Sequence, residues 1–312
     1  MKKILLLVVL LSACAAALPR VEEGAQEAKG AATPAPAGRV DAGQMLGDVR
    51  ALADDAMEGR AAGTPGGARA RAYLVGRFRQ VGLSPLGEGF EQPFALRGGG
   101  TGVNLVGHVA GRDAAAGLFV ITAHYDHLGV RGGQVYNGAD DNASGVAALL
   151  QLAAHFTRER PAHTLVFAAL DAEEAGLQGA TALVAALKRE GRRVALNVNL
   201  DMVSRGDRGA LYAAGAHHTP ALRPHLERAA AAAPVKLLLG HDRPELGRDD
   251  WTNQSDHYAF HREKIPFVYF GVEDHKDYHR PTDDFEAIAP DFYTRAVETI
   301  LGAVAELDKN LN

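Results

Sequence analysis

The sequence predicts an α/β fold, a three-layer α/β/α sandwich around a mixed, mostly parallel sheet. Two observations carry that expectation. From about residue 41, short apolar runs of strand length alternate with longer segments whose apolar residues recur at helical spacing. Three of the strand-like runs also end in acids or histidines: His124-Tyr125-Asp126-His127, Asp171-Ala172-Glu173-Glu174 and Asp201. In open parallel sheets, ligand sites lie beyond the carboxyl ends of the strands.

The elements follow in order. The stretch 67-GARARAYLVGRFRQVG-82 suits a helix, with Leu74 and Phe78 four residues apart. The runs 102-GVNLVGHVAG-111 and 117-GLFVITAH-124 are short, apolar and bounded by glycine, as strands are. The stretch 143-ASGVAALLQLAAHFTRER-160 repeats its apolar residues with helical period. A strand over 163–170, a helix over roughly 176–190 and a strand over 193–200 come next. A strand over 209–215, an Ala-rich helix near 219–233, a strand over 265–272 and a final helix near 290–308 complete the pattern. There is no internal repeat and no second domain in the pattern, so residues 41–312 are expected to form one domain.

Composition excludes some classes of function. A net charge of -5 and the lack of a basic stripe argue against a nucleic-acid partner. The single cysteine, Cys14, rules out an internal disulfide and a cysteine-ligated metal site. With 13 histidines and 38 acidic residues, a metal site built from nitrogen and oxygen ligands has ample material.

The N-terminus reads as an address. In 1-MKKILLLVVLLSACAAALPR-20 two lysines precede the run Ile4 to Ser12, too short to span a bilayer and suited to an export signal. The run ends in Leu11-Ser12-Ala13-Cys14, which resembles the bacterial lipobox. That resemblance implies a signal peptide over 1–13, a lipid on Cys14, and an exported, periplasmic protein anchored to the membrane. Residues 14–40, rich in Ala, Pro, Gly and Glu, then form a flexible tether.

The strand-end residues join two further stretches, 137-NGADDNASG-145 and 277-DYHRPTDD-284. Hard and borderline divalent metals take carboxylate and imidazole ligands. Two ions about 3.5–4 Å apart can share one carboxylate and activate a water between them. Such a centre needs a histidine and an acid for each ion, one shared acid, and one free acid as base. The ordered set His, Asp, Glu-Glu, Asp, His supplies it.

This order resembles the co-catalytic di-zinc exopeptidases, peptidase family M28, which include bacterial leucine aminopeptidases and glutamate carboxypeptidases. The likeness runs from about residue 45 to the C-terminus and includes 51-ALADDAMEGRAAGTPGGARARAYLVGRFRQVGLSPLG-87. The resemblance implies two Zn2+ ions per chain, with His124 and Asp201 on the first and Glu174 and His279 on the second. Asp140 would bridge them, with its neighbour Asp141 as the alternative. Asp126 would orient His124 through its carboxylate, Glu173 would be the general base, and Tyr278 would hydrogen-bond the developing oxyanion. Glu173 and Glu174 would diverge because successive side chains of extended backbone point opposite ways. His127 is expected near the site without binding metal. His275 is a lesser candidate ligand. 255-SDHYAF-260 reads as structural support, and Trp251 as a loop residue that could border the substrate pocket.

The implied activity is removal of the N-terminal residue from peptides with a free N-terminus, through a di-zinc-bound hydroxide. A carboxypeptidase or dipeptidase of the same fold is the alternative, with Arg280 as the cation for a free carboxylate. A one-zinc glutaminyl cyclase resembles the chain less. A deacylase would need a longer insertion between Asp201 and His279 than this chain has.

Overall fold

In chain order the elements are α1 (Ala42–Leu52), α2 (Pro65–Gln80), β1 (Ser84–Pro85), β2 (Glu91–Ala95), β3 (Thr101–Val109), β4 (Leu118–His124), β5 (Gly129–Arg131) and β6 (Gln134–Tyr136). Then come α3 (Gly145–Arg158), β7 (Thr164–Leu170), α4 (Gln178–Arg189), β8 (Val194–Leu200), β9 (Ala210–Ala214) and α5 (Arg223–Ala232). The last are β10 (Lys236–Leu239), α6 (His257–His261), β11 (Phe267–Gly271) and α7 (Pro290–Asn310). The computed structural model describes residues 39–113 and 115–311. The expected signal peptide, Cys14 and nearly all of the tether lie outside the described residues.

The main sheet runs β1-β3-β7-β4-β8-β11-β9-β10, with β2 also paired to β3. Its centre is parallel: β7, β4, β8 and β11 all point the same way. The flanks are mixed, since β3 meets β7 antiparallel and β9 meets β11 antiparallel. The four central strands therefore deliver their carboxyl ends to one edge, side by side.

Alternation along these strands fills two faces. Leu165, Phe167 and Ala169 of β7 pack into the larger core, which includes residues of α1, α2, α3 and α7. Val166, Ala168 and Leu170 of the same strand pack into a second core with Leu183, Val184 and Leu187 of α4 and Phe260 of α6. Helices on both faces make the three-layer sandwich that the sequence predicts. At about 25 cal/mol per Å² of apolar surface, such double burial is the main stabilising contribution of the sheet.

Every long element expected from the sequence is present, with ends within about four residues of those expected. The elements missed are α1, the short strands β1, β2, β5, β6 and β10, and the five-residue α6. Most are too short to show a period. Helix α1 is long enough, but Gly43 and Gly47 weaken its intrinsic preference. It is held instead by Asp41, which accepts from Gln44 N, and by the burial of Met45, Val49 and Leu52.

Candidate active site

The site lies where the four parallel strands end. His124 is the last residue of β4 and Asp201 the first after β8, both buried. Alternation aims Asp201. Leu196, Val198 and Leu200 enter the larger core, so Asn197, Asn199 and Asp201 face the other way. A buried hydrogen-bond chain fixes that face. Asn197 Nδ2 donates to Thr122 Oγ1 (3.1 Å) and Thr122 Oγ1 to Asn199 Oδ1 (2.6 Å). Asn199 Nδ2 donates to Ser255 Oγ (2.8 Å), and Ser255 Oγ to Asp201 Oδ2 (2.6 Å). The segment 255-SDHYAF-260 thus supports the site through Ser255.

The segment holding Glu173 and Glu174 corrects one expectation. It is a turn, entered through Ala172 in the left-handed region (φ +58°), and not extended backbone. Asp126 pins the turn by accepting from Glu173 N (3.0 Å, Oδ1) and Glu174 N (3.3 Å, Oδ2). The His124 ring is oriented mainly by the main chain: its Nδ1 donates to Asp126 O (3.1 Å), while the Asp126 carboxylate stands 3.7 Å away. Asp126 therefore couples the β4 loop to the β7 loop. Asp171, also a strand-end acid, faces away and accepts from Val103 N and Ala172 N.

A second correction concerns the paired aspartates. Asp140 is not the acid that faces both clusters. Its carboxylate is fully occupied elsewhere, accepting from Ser204 N (2.8 Å), Ser204 Oγ (2.6 Å) and His275 Nε2 (3.0 Å). His275 is thereby tied to Asp140 and does not clamp a metal with His279. Asp141 takes the central place. Its Oδ1 lies 3.4 Å from His124 Nε2, and its Oδ2 lies 3.1 Å from His279 Nε2. The backbone of both aspartates is set by Asp283, whose carboxylate accepts from Asp140 N and Asp141 N.

Two groups of potential ligand atoms result. His124, Asp141 and Asp201 form one, with His124 Nε2 3.3 Å from Asp201 Oδ1. His127, Asp141 and Glu174 form the other. His279 joins it at 3.4 Å from Glu174 Oε1, carried by a left-handed turn (φ +54°) beyond β11. Asp201 Oδ1, Glu174 Oε1 and both His127 ring nitrogens are buried with no hydrogen-bond partner among the described residues. Each such orphan costs roughly 1–3 kcal/mol unless something else satisfies it. Atoms bound to zinc at about 2.0–2.1 Å in a tetrahedron stand about 3.3–3.4 Å apart. The spacing of these atoms, and their lack of other partners, fit metal ions placed between them.

The electrostatics agree with that arrangement. Burial works to raise the Asp141 carboxyl pKa, yet His127, His124 and His279 around it hold it well below its ordinary value. Burial alone would raise Glu174 as well, but the imidazoles of His127 and His279 beside it lower it to about 2. Glu173 behaves oppositely. Burial pushes it well above the usual carboxylate range, and Asp256, Asp201 and Asp126 push it further against the pull of His124. Neighbours in sequence thus have opposite environments, which suits one to a metal and the other to a proton.

A cavity of about 280 Å³ opens over these groups. Glu173, Glu174, Asp141, Asp201 and Asp274 bring carboxylates to it, while Met202, Val272, Tyr269, Tyr278 and Trp251 bring apolar surface. Trp251 is a cavity wall, 8% exposed, with the His241 ring stacked on it at 3.8 Å between centroids. His241 is thus packed against this wall. Tyr278 stacks on His279 at 4.0 Å. Among the described residues lining the cavity there is no lysine or arginine; Arg280 is exposed and outside the lining.

One structural residue carries no signal of its own in the sequence. Arg60, fully buried, donates from Nε to Tyr125 O (2.8 Å), from Nη1 to Leu52 O (2.6 Å) and Asn137 O, and from Nη2 to Gly138 O (2.9 Å). It ties the β4 loop to the loop before Asp140. Burial without a carboxylate in hydrogen-bond contact lowers its pKa to about 10, against the pull of Asp141 and Asp126.

Known proteins are similar to this chain in sequence and in fold. Residues 112 long within the chain are 38% identical to a probable zinc metalloprotease of Leptosphaeria maculans, covering 34% of this chain and 26% of that protein. The matched stretch thus spans about a quarter of the relative's length. The fold is similar to that of the LapA aminopeptidase of Legionella pneumophila, with a TM-score of 0.71 at 19% identity over 88% of this chain and 73% of that one. It is also similar to BSAP, a zinc aminopeptidase from Bacillus subtilis, with a TM-score of 0.68 at 17% identity over 87% and 96% of the two chains. The model of peptidase family M28 matches residues 104–304, which span the four central strands and every cavity carboxylate: the chain belongs to peptidase family M28.

Proposed function

We propose that the protein is a zinc-dependent aminopeptidase that removes the N-terminal residue from peptides, with two zinc ions held by His124, Asp141 and Asp201 on one side and Asp141, Glu174 and His279 on the other. The observation that carries the reading is the single carboxylate of Asp141, with one oxygen toward each group of ligands. Zinc bound there supplies Lewis-acid polarisation of the scissile carbonyl and makes water a nucleophile near neutral pH.

The protein's own groups do the rest. Glu173 accepts the proton of the attacking water and returns it to the leaving amine, a role its raised pKa favours. Tyr278 donates its hydroxyl to the developing oxyanion. Asp126 holds the glutamate turn against the β4 loop, so that base and ligands keep their registry. The acid-lined cavity favours a free ammonium group over a free carboxylate, which would have no lysine or arginine to meet among the described lining residues. Its apolar wall of Met202, Val272 and Trp251 offers room for an apolar side chain. That wall and those charges support the aminopeptidase over the carboxypeptidase.

The test sets aminoacyl-anilides with a free amine against N-blocked dipeptides with a free carboxylate. Cleavage of the first class alone, lost with chelator and regained with zinc, is the expected result. Preferential cleavage of the blocked dipeptides would establish the carboxypeptidase instead.

A further inference from the structure

His127 lies three residues past the end of β4 with a side chain fully withdrawn from solvent. Both of its ring nitrogens lack a hydrogen-bond partner among the described residues. Its Nδ1 is 2.8 Å from Glu174 Oε1 and 3.7 Å from Asp141 Oδ2. The same two oxygens are approached by His279 Nε2, at 3.4 Å and 3.1 Å. These separations bracket the roughly 3.3–3.4 Å expected between atoms bound tetrahedrally to one zinc. The two imidazoles come in at different angles, with ring centroids 5.8 Å apart and planes tilted by 59°.

The loop is shaped around this ring. Gly138 sits in the left-handed region (φ +56°), and a Cβ there would come within 2.5 Å of His127 Cδ2 and 2.6 Å of Cγ. Only glycine leaves that space. The Gly138 carbonyl is held from behind by Arg60 Nη2. The imidazole is therefore placed by the backbone of the Asp141 loop, against the carboxylates that are its neighbours.

We propose that His127 binds metal through Nδ1, in the site formed by Asp141, Glu174 and His279. This rests on the two-zinc reading above and deepens it. The two sites then differ in kind. The His127 site has two imidazoles and two carboxylate oxygens from the protein, a closed tetrahedral set. The His124 site has one imidazole and two carboxylate oxygens and keeps a position open for water or substrate. The closed site fills first and holds its ion more tightly.

The experiment is zinc titration of the full chain, stripped with chelator, by calorimetry, beside His127→Ala. Two binding steps are expected in the wild type. In His127→Ala the tighter step weakens by at least about 10–100-fold and the weaker step is unchanged. X-ray absorption of the two-zinc wild type should show three imidazoles for every two zinc ions, a readout that holds even where the variant fails to fold. Unchanged affinity for both ions in a folded His127→Ala, or two imidazoles per two zinc ions in the wild type, would overturn the proposal. A wild type that saturates at one zinc breaks the two-zinc reading instead, and His127 then stands or falls on whether that single ion carries two imidazoles.

Discussion

His124 and Asp201 stand at the ends of β4 and β8, paired in parallel at the middle of the sheet, whereas Glu174 and His279 are carried by turns. The strand-borne pair is aimed by alternation and by a buried hydrogen-bond chain through Thr122, Asn199 and Ser255. The turn-borne pair is aimed by left-handed residues at Ala172 and His279 and by cross-links from Asp126. Left-handed backbone outside glycine costs on the order of 1–3 kcal/mol per residue and persists only where the surroundings enforce it. One half of the site is thus a by-product of sheet geometry. The other is strained loop that the fold must hold in place. Asp141 belongs to both, with one oxygen in each half.

Substitution at Asp141 should break the comparison outright. Asp141→Asn is expected to empty both metal sites and abolish turnover, because each loses the oxygen it shares. Asp140→Asn, one residue away, should keep zinc stoichiometry while destabilising the fold by roughly 1–3 kcal/mol through its lost partners at Ser204 and His275. Metal analysis and thermal unfolding of the two variants give the answer. If Asp140→Asn is the one that loses both ions, the correction from Asp140 to Asp141 fails.

The adjacent glutamates sharpen the contrast within a single turn. Glu173→Gln should keep both ions and lose about 10²–10⁴-fold in turnover, the usual contribution of a general base. Glu174→Gln should weaken zinc at the His279 site and recover part of its activity when zinc is added. The reverse pattern, read from metal content beside turnover, would exchange their roles.

The smallest expected effect tests the strand-borne half. Ser255→Ala removes the hydroxyl that donates to Asp201 Oδ2. Zinc affinity at the His124 site should fall by about 10-fold, in the range typical of groups that orient ligands, with the His279 site untouched. Equal weakening at both sites would mean that the two halves are one cooperative unit.

How much of this was legible follows the same division. The parallel centre of the sheet was readable because 117–124, 163–170 and 193–200 are short apolar runs between helical segments. The chemistry at their ends was readable because a strand end fixes where a residue lies to within a few ångströms. Loop direction was not. Nothing in "GADDN" tells which aspartate faces the metals, since that is decided by Asp283, more than a hundred residues away, accepting from both backbone amides. Nothing local marks His127 as facing Glu174, because their approach depends on β4 and β7 being neighbours. Nor does "MEGRA" announce that Arg60 will be buried among the carbonyls of Leu52 and of two distant segments, at Tyr125 and Asn137.

By itself, then, the sequence determined the three-layer fold, the order of acids and histidines, and the sheet edge where they gather, because periodicity and strand ends are local properties. Only the tertiary structure decided which of two adjacent aspartates serves both clusters, that the two glutamates diverge in a turn, and that His127 joins them. Those choices rest on hydrogen bonds and packing between segments far apart in the chain, which no local pattern encodes.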